Sequence, residues 1–197
     1  MTLHLYLDAA LTQPLSEGNG SNPDSDHYNG TDGESKDRQI WIANAWTTLS
    51  GALTASQTTL SLASGCFANG ETLLIGSEQM QVQSGGGTLT PVVLRGYGGT
   101  VPAAHAGGST VYSGYDYLDL ALDVVDESGS NESGWYRLAL TQAGLGTTVA
   151  GAPLNLGDKP HDQTLSFWRR CTVPPATPVQ NKLDLKLRLT GTETPIL

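Results

Sequence analysis

Leucine recurs at every second position in three separate stretches of this sequence. Leu3, Leu5 and Leu7 alternate with His4 and Tyr6. Leu118, Leu120, Leu122 and Val124 alternate with Asp119, Ala121 and Asp123. Leu183, Leu185, Leu187 and Leu189 alternate with Asp184, Lys186 and Arg188. A period of two puts one face of each segment on a core and the other in water, as an antiparallel sheet with one solvated face requires. Trp135 to Leu140 and Leu165 to Cys171 are shorter runs of the same kind, and Trp135 and Trp168 are read there as core. No window of 11 or more residues carries a helical stripe. The chain is predicted to be all-β.

Between these strands lie heavily punctuated connections. Residues 16–37 are polar, acidic and rich in Gly, Asn and Pro, and residues 145–160 form a second connection with Gly and Pro. Pro174, Pro175 and Pro178 hold an extended edge before the last strand. Residues 46–113 differ from both flanks: they hold 12 of the 24 glycines and only three Asp, Glu, Lys or Arg residues, namely Glu71, Glu78 and Arg95. Five or six short strands are predicted there, with Gly76-Ser77 as a hairpin turn and Gly85 to Gly87 as another. The predicted architecture is an Ig-like or jelly-roll-like antiparallel β-sandwich built from residues 1–45 and 114–197. It is interrupted at 46–113 by a small β-barrel or β-roll. Trp41 and Trp46 fall at the junction and are expected to pack the two parts together.

Composition sharpens this picture. Hydrophobic types make up 38% and the 24 glycines add about 12%, which brings apolar content to the ordinary level, but only 15% of the 197 residues are charged, against about 25% in an average soluble protein. Serine and threonine, 38 residues together, carry the surface. Normal apolar content argues against disorder over the whole length, and sparse lysine argues against a coiled coil. No apolar run is long enough to span a bilayer, and the start lacks the basic region of a secretory signal. A net charge of −9 opposes binding to phosphate backbones, so neither nucleic acid nor membrane is expected as a partner. Cys66 and Cys171 are read as two separate thiols.

Candidate chemistry is thin. Gly96-x-Gly98 has Val101 where a dinucleotide fingerprint needs its third glycine, and no helix follows. The segment Asp24-Ser-Asp26-His-Tyr-Asn29-Gly30 is one residue too long for an EF-hand. A calcium site of another kind would draw on Asp24, Asp26, Asp32 and Glu34, the alternative being a solvated acidic loop. His4, His27, His105 and His161 fit no zinc spacing, and no Gly-x-Ser-x-Gly elbow is present. A carboxylate pair for glycoside hydrolysis is decided by spatial separation, which sequence does not give. No cofactor is expected, and no constellation supports an enzyme. Arg95 stands beside a glycine-dense turn with two kinds of partner in reach, the Glu78 carboxylate and turn carbonyls. His105 can donate to the same turn.

Ile75-Gly-Ser-Glu78, then Val93-Leu-Arg-Gly-Tyr-Gly-Gly-Thr100, then Ala104-His105 leading to Val111 together resemble a small β-module that recurs in tailed-bacteriophage virion proteins. The resemblance covers about a third of the chain. It makes Glu78, Arg95, Gly96, Gly99, Thr100 and His105 structural residues of that module. The flanking stretches Leu5 to Asp8, Asn29 to Asp37 and Pro178 to Asp184 are similar to phage particle proteins as well. The resemblance implies a structural component of a phage particle in the tail, neck or baseplate, assembled in the host cytoplasm. Its partners would be other virion proteins and copies of itself in a symmetric array, with the loop at 16–37 and the Pro-rich segment before Asn181 as contact arms. A capsid decoration protein is the alternative within the particle. A glycan-binding module for the host surface is the alternative of another class.

Overall fold

The computed structural model describes residues 2–16, 23–128, 132–180 and 184–196. Its strands in chain order are β1 (Leu3–Tyr6), β2 (Glu34–Asn44), β3 (Trp46–Thr48), β4 (Thr72–Ile75), β5 (Glu78–Ser84), β6 (Val92–Leu94), β7 (Thr110–Ser113), β8 (Tyr115–Asp126), β9 (Tyr136–Ala139), β10 (Leu154–Lys159), β11 (Leu165–Val173) and β12 (Leu185–Pro195). Every ladder among the described residues is antiparallel. The described residues form no α-helix, only short 3-10 turns. The protein is all-β.

Strands β1, β2, β11 and β9 form one sheet in that order, and β10, β8 and β12 form a second. Their inner faces meet in a single core. Leu3, Ile40, Ile42, Leu138 and Phe167 come from the first sheet, and Tyr117, Leu120 and Leu122 from the second. This is a β-sandwich. The remaining strands form a third sheet, ordered β3-β7-β4-β5-β6. Its core, including Leu49, Leu73, Ile75, Met80, Val82, Val93 and Val111, shares no residue with the first. In its regular ladders this sheet is open. The irregular segment 58–63 reaches both edges: the Val93 N–H donates to Thr58 O (2.8 Å) beside β6, and the Ala63 N–H donates to Thr48 O (2.9 Å) beside β3.

Two sequence expectations change. Leu118 is exposed and Tyr117 fully buried, because β8 bulges between them and Leu120. Asp119 takes φ +53 there, and its N–H donates to Asp158 Oδ1 at 3.0 Å. Both neighbouring ladders shift register at the same level, so the alternation changes phase within one strand. Trp135 and Trp168 are only half-buried and belong to neither core. On β11 the inward positions are Phe167, Arg169 and Cys171, which turns Trp168 to the outer face. Leu183 lies outside the described residues.

Candidate functional site

A dense polar cluster is centred on Glu78, which is 1% exposed. A two-residue turn with Gly76 at φ +61 joins β4 to β5 and delivers Glu78 as the first residue of β5, paired with Ile75. Strand β6 ends at Leu94, so Arg95 leaves the sheet alongside it. Arg95 Nε and Nη2 donate to Glu78 Oε1 and Oε2 at 2.7 and 2.8 Å. The N–H groups of Gly96 and Ala103 donate to the same carboxylate, at 3.3 and 2.9 Å. His105 Nε2 lies 2.8 Å from Oε2; an ionised carboxylate only accepts, so Nε2 carries the proton. Arg95 spends its remaining donors on Thr54 O, Gln57 O and Ala103 O. A guanidinium has five N–H groups and a carboxylate about four lone-pair sites, so both are saturated. Burial pushes the Glu78 carboxyl up, but Arg95, the Ala103 N–H and His105 outweigh it and hold it at about 2. Such a group stays ionised at neutral pH and ties three loops together.

The turn that follows explains the other motif residues. Gly96, Gly98 and Gly99 all have positive φ, and a Cβ on Gly98 would stand 2.7 Å from Gln79 Oε1. Thr100 closes the turn: its Oγ1 accepts from the Gln79 N–H (3.0 Å) and donates to Tyr97 O (3.0 Å).

The acidic loop is organised by arginines. Arg38 and Arg169 stand directly opposite each other on β2 and β11. Arg169, 1% exposed, binds Asp24 through Nε and Nη2, both at 2.6 Å, and Asp26 at 2.7 Å. Arg38 reaches the same two carboxylates at 2.6 and 2.8 Å. Burial opposes ionisation of Asp26, and Arg169 and Arg38 overcome it, so its pKa is lowered. Asp32 accepts instead from Asn29 Nδ2, and Glu34 from the Asn29 N–H. The four acids of the proposed calcium loop therefore do not converge. No group of three or more His, Cys, Asp or Glu able to hold a metal exists among the described residues.

The junction between the two cores is polar. Asn44, the last residue of β2, is 1% exposed, and Lys159, the last of β10, is fully buried. Asn44 Nδ2 donates to Tyr115 O (2.8 Å), Ser113 Oγ (3.0 Å) and Ser113 O (3.3 Å). Lys159 Nζ donates to Asn44 Oδ1 and to Pro160 O. Thr2, Ser113 and Tyr117 join hydroxyls beside them. Trp41 is half-buried and Trp46 is 38% exposed; neither belongs to a core.

The surface of residues 46–113 displays almost no charge. Glu78 and the side chains of Arg95 and His105 are buried or nearly so, and Glu71 is half-buried. Exposed instead are Trp46, Leu89, Val92, Leu94 and Val101, the last at 80%. Cys66 and Cys171 are free thiols, and burial pushes Cys66 up to about 11.

No family model, curated protein or solved structure matches this chain. Sequence reasoning did not single out Arg38, Arg169, Asn44 or Lys159. An arginine at an inward position of the Phe167-x-Arg169-x-Cys171 alternation was a readable sign of a buried partner. Nothing local marks Asn44 and Lys159, whose partnership spans 115 residues.

Proposed function

We propose that this chain is a structural subunit of a tailed-phage particle, placed in the tail, neck or baseplate and acting through protein–protein contacts in a symmetric assembly. The reading rests on the motif resemblance of residues 75–111. One structural observation supports it: residues 46–113 present no fully exposed charged side chain but five exposed large apolar ones. Interface cores are depleted in charge and enriched in aromatic and apolar groups, so such a surface suits close subunit contact. Symmetry repeats a modest contact many times, so each copy need not be strong.

The two expected contact arms bind each other in the folded chain. The Ala176 and Thr177 N–H groups donate to Thr31 O and Gly30 O, at 3.2 and 2.9 Å. They form one ledge rather than two free arms. Asn181 itself lies outside the described residues. Negative-stain imaging of particles labelled with antibody to this chain tests the proposal. Labelling at the tail or its junction with the head supports it, and labelling across the head makes the chain a capsid decoration protein instead. Antigen found only in cell extract and never on particles overturns both.

A further inference from the structure

We propose that Lys159 and Asn44 react with each other to form an intramolecular isopeptide bond linking the two sheets of the sandwich. Lys159 Nζ lies 2.5 Å from Asn44 Oδ1. A carbonyl bond is ~1.2 Å long, so Nζ is within ~3.7 Å of the carboxamide carbon, close to the separation of a near-attack pair. Both side chains are buried, Lys159 at 0% and Asn44 at 1% exposure, so water does not compete for the carbonyl.

The orientation of the amide is fixed by its surroundings. Nδ2 faces only acceptors, namely Tyr115 O, Ser113 O and Ser113 Oγ, which leaves Oδ1 and the carbon to the amine. Pro160 O accepts a second N–H of Lys159 at 3.1 Å and steadies the amine. Burial lowers the Lys159 pKa to about 8, against the opposing pull of Asp116 and Asp162. Roughly a tenth of the molecules then hold a neutral amine at pH 7.

The step balances without an oxidant or co-reactant. The Nζ lone pair attacks Cγ and an Nζ–Cγ bond forms. One Nζ proton passes to Nδ2, the Cγ–Nδ2 bond breaks, and ammonia leaves.

Intact-mass measurement of the folded wild-type chain, followed by peptide mapping, tests this. The expected result is a mass lower by one ammonia, with a branched peptide that joins the Asn44 and Lys159 segments. Asn44→Ala and Lys159→Met restore the mass given by composition. A folded wild-type chain of full composition mass overturns the proposal. So does a loss of ammonia without the branched peptide, as a succinimide at Asn29-Gly30 or Asn69-Gly70 would give.

Discussion

A single saturated ion pair does much of the local organising in residues 46–113. Arg95 has all five donors engaged, and its partner is fully buried. Arg95→Ala leaves the Glu78 carboxylate buried with its main counter-charge gone, and should cost roughly 3–5 kcal/mol. A thermal melt checks this; an unchanged curve would falsify it. The same carboxylate sets a pH dependence. Its pKa is about 2 in the folded chain against 4.5 as reference. The stabilisation is therefore complete above about pH 4.5 and is lost as pH falls towards 2, for a total of about 3 kcal/mol. Urea titrations at pH 7 and pH 3 should show the drop, and Glu78→Gln should flatten that part of the profile. This cluster was partly legible from sequence. In a stretch holding two carboxylates and one arginine, the arginine has few partners to choose from. The choice between a carboxylate and turn carbonyls was not legible, and the folded chain uses both.

At the level of strands, the informative places are those where alternation breaks. Strand β8 reads as a continuous period-two pattern, yet a bulge at Leu118-Asp119 turns Leu118 outwards. Its neighbour β12 accommodates the bulge with Gly191, where a Cβ would stand 2.7 Å from Leu120 Cδ2 and 3.1 Å from Leu118 O. Gly191→Val should destabilise the sandwich by about 1–3 kcal/mol, as overpacking does; a shift in urea midpoint at unchanged slope would report it. The pairing of β2 with β11 sets two arginines face to face, which by itself is repulsive. Asp24 and Asp26 from the preceding loop neutralise them. Changing both acids to asparagine should lower stability by roughly 3–5 kcal/mol. Adding Arg38→Gln to that variant should recover part of the loss, because it removes one of the opposed charges. An Asp24→Asn/Asp26→Asn chain as stable as wild type would show that water screens the pair.

At the scale of the whole molecule, the described residues carry two cores joined by a polar seam. Leu73→Ala and Ile40→Ala each remove a fully buried side chain, one from each core, and should cost about 2–5 kcal/mol. Hydrogen exchange should show each loss concentrated in the sheets that surround the altered core, since the two clusters share no residue. Uniform loss of protection across both would mean that they unfold as one unit. The sequence by itself determined the all-β class, the hairpin at Gly76-Ser77 and the charge-poor stretch at 46–113. Period two, turn glycines and composition are local properties, and local sterics and solvation act on them directly. Only the tertiary structure decided the phase change in β8, the clasp of Asp24 and Asp26 on two arginines, and the meeting of Asn44 with Lys159. Each depends on segments far apart in the chain being brought to one place, where burial and close packing leave a charge, an amide or a side chain few partners to choose from.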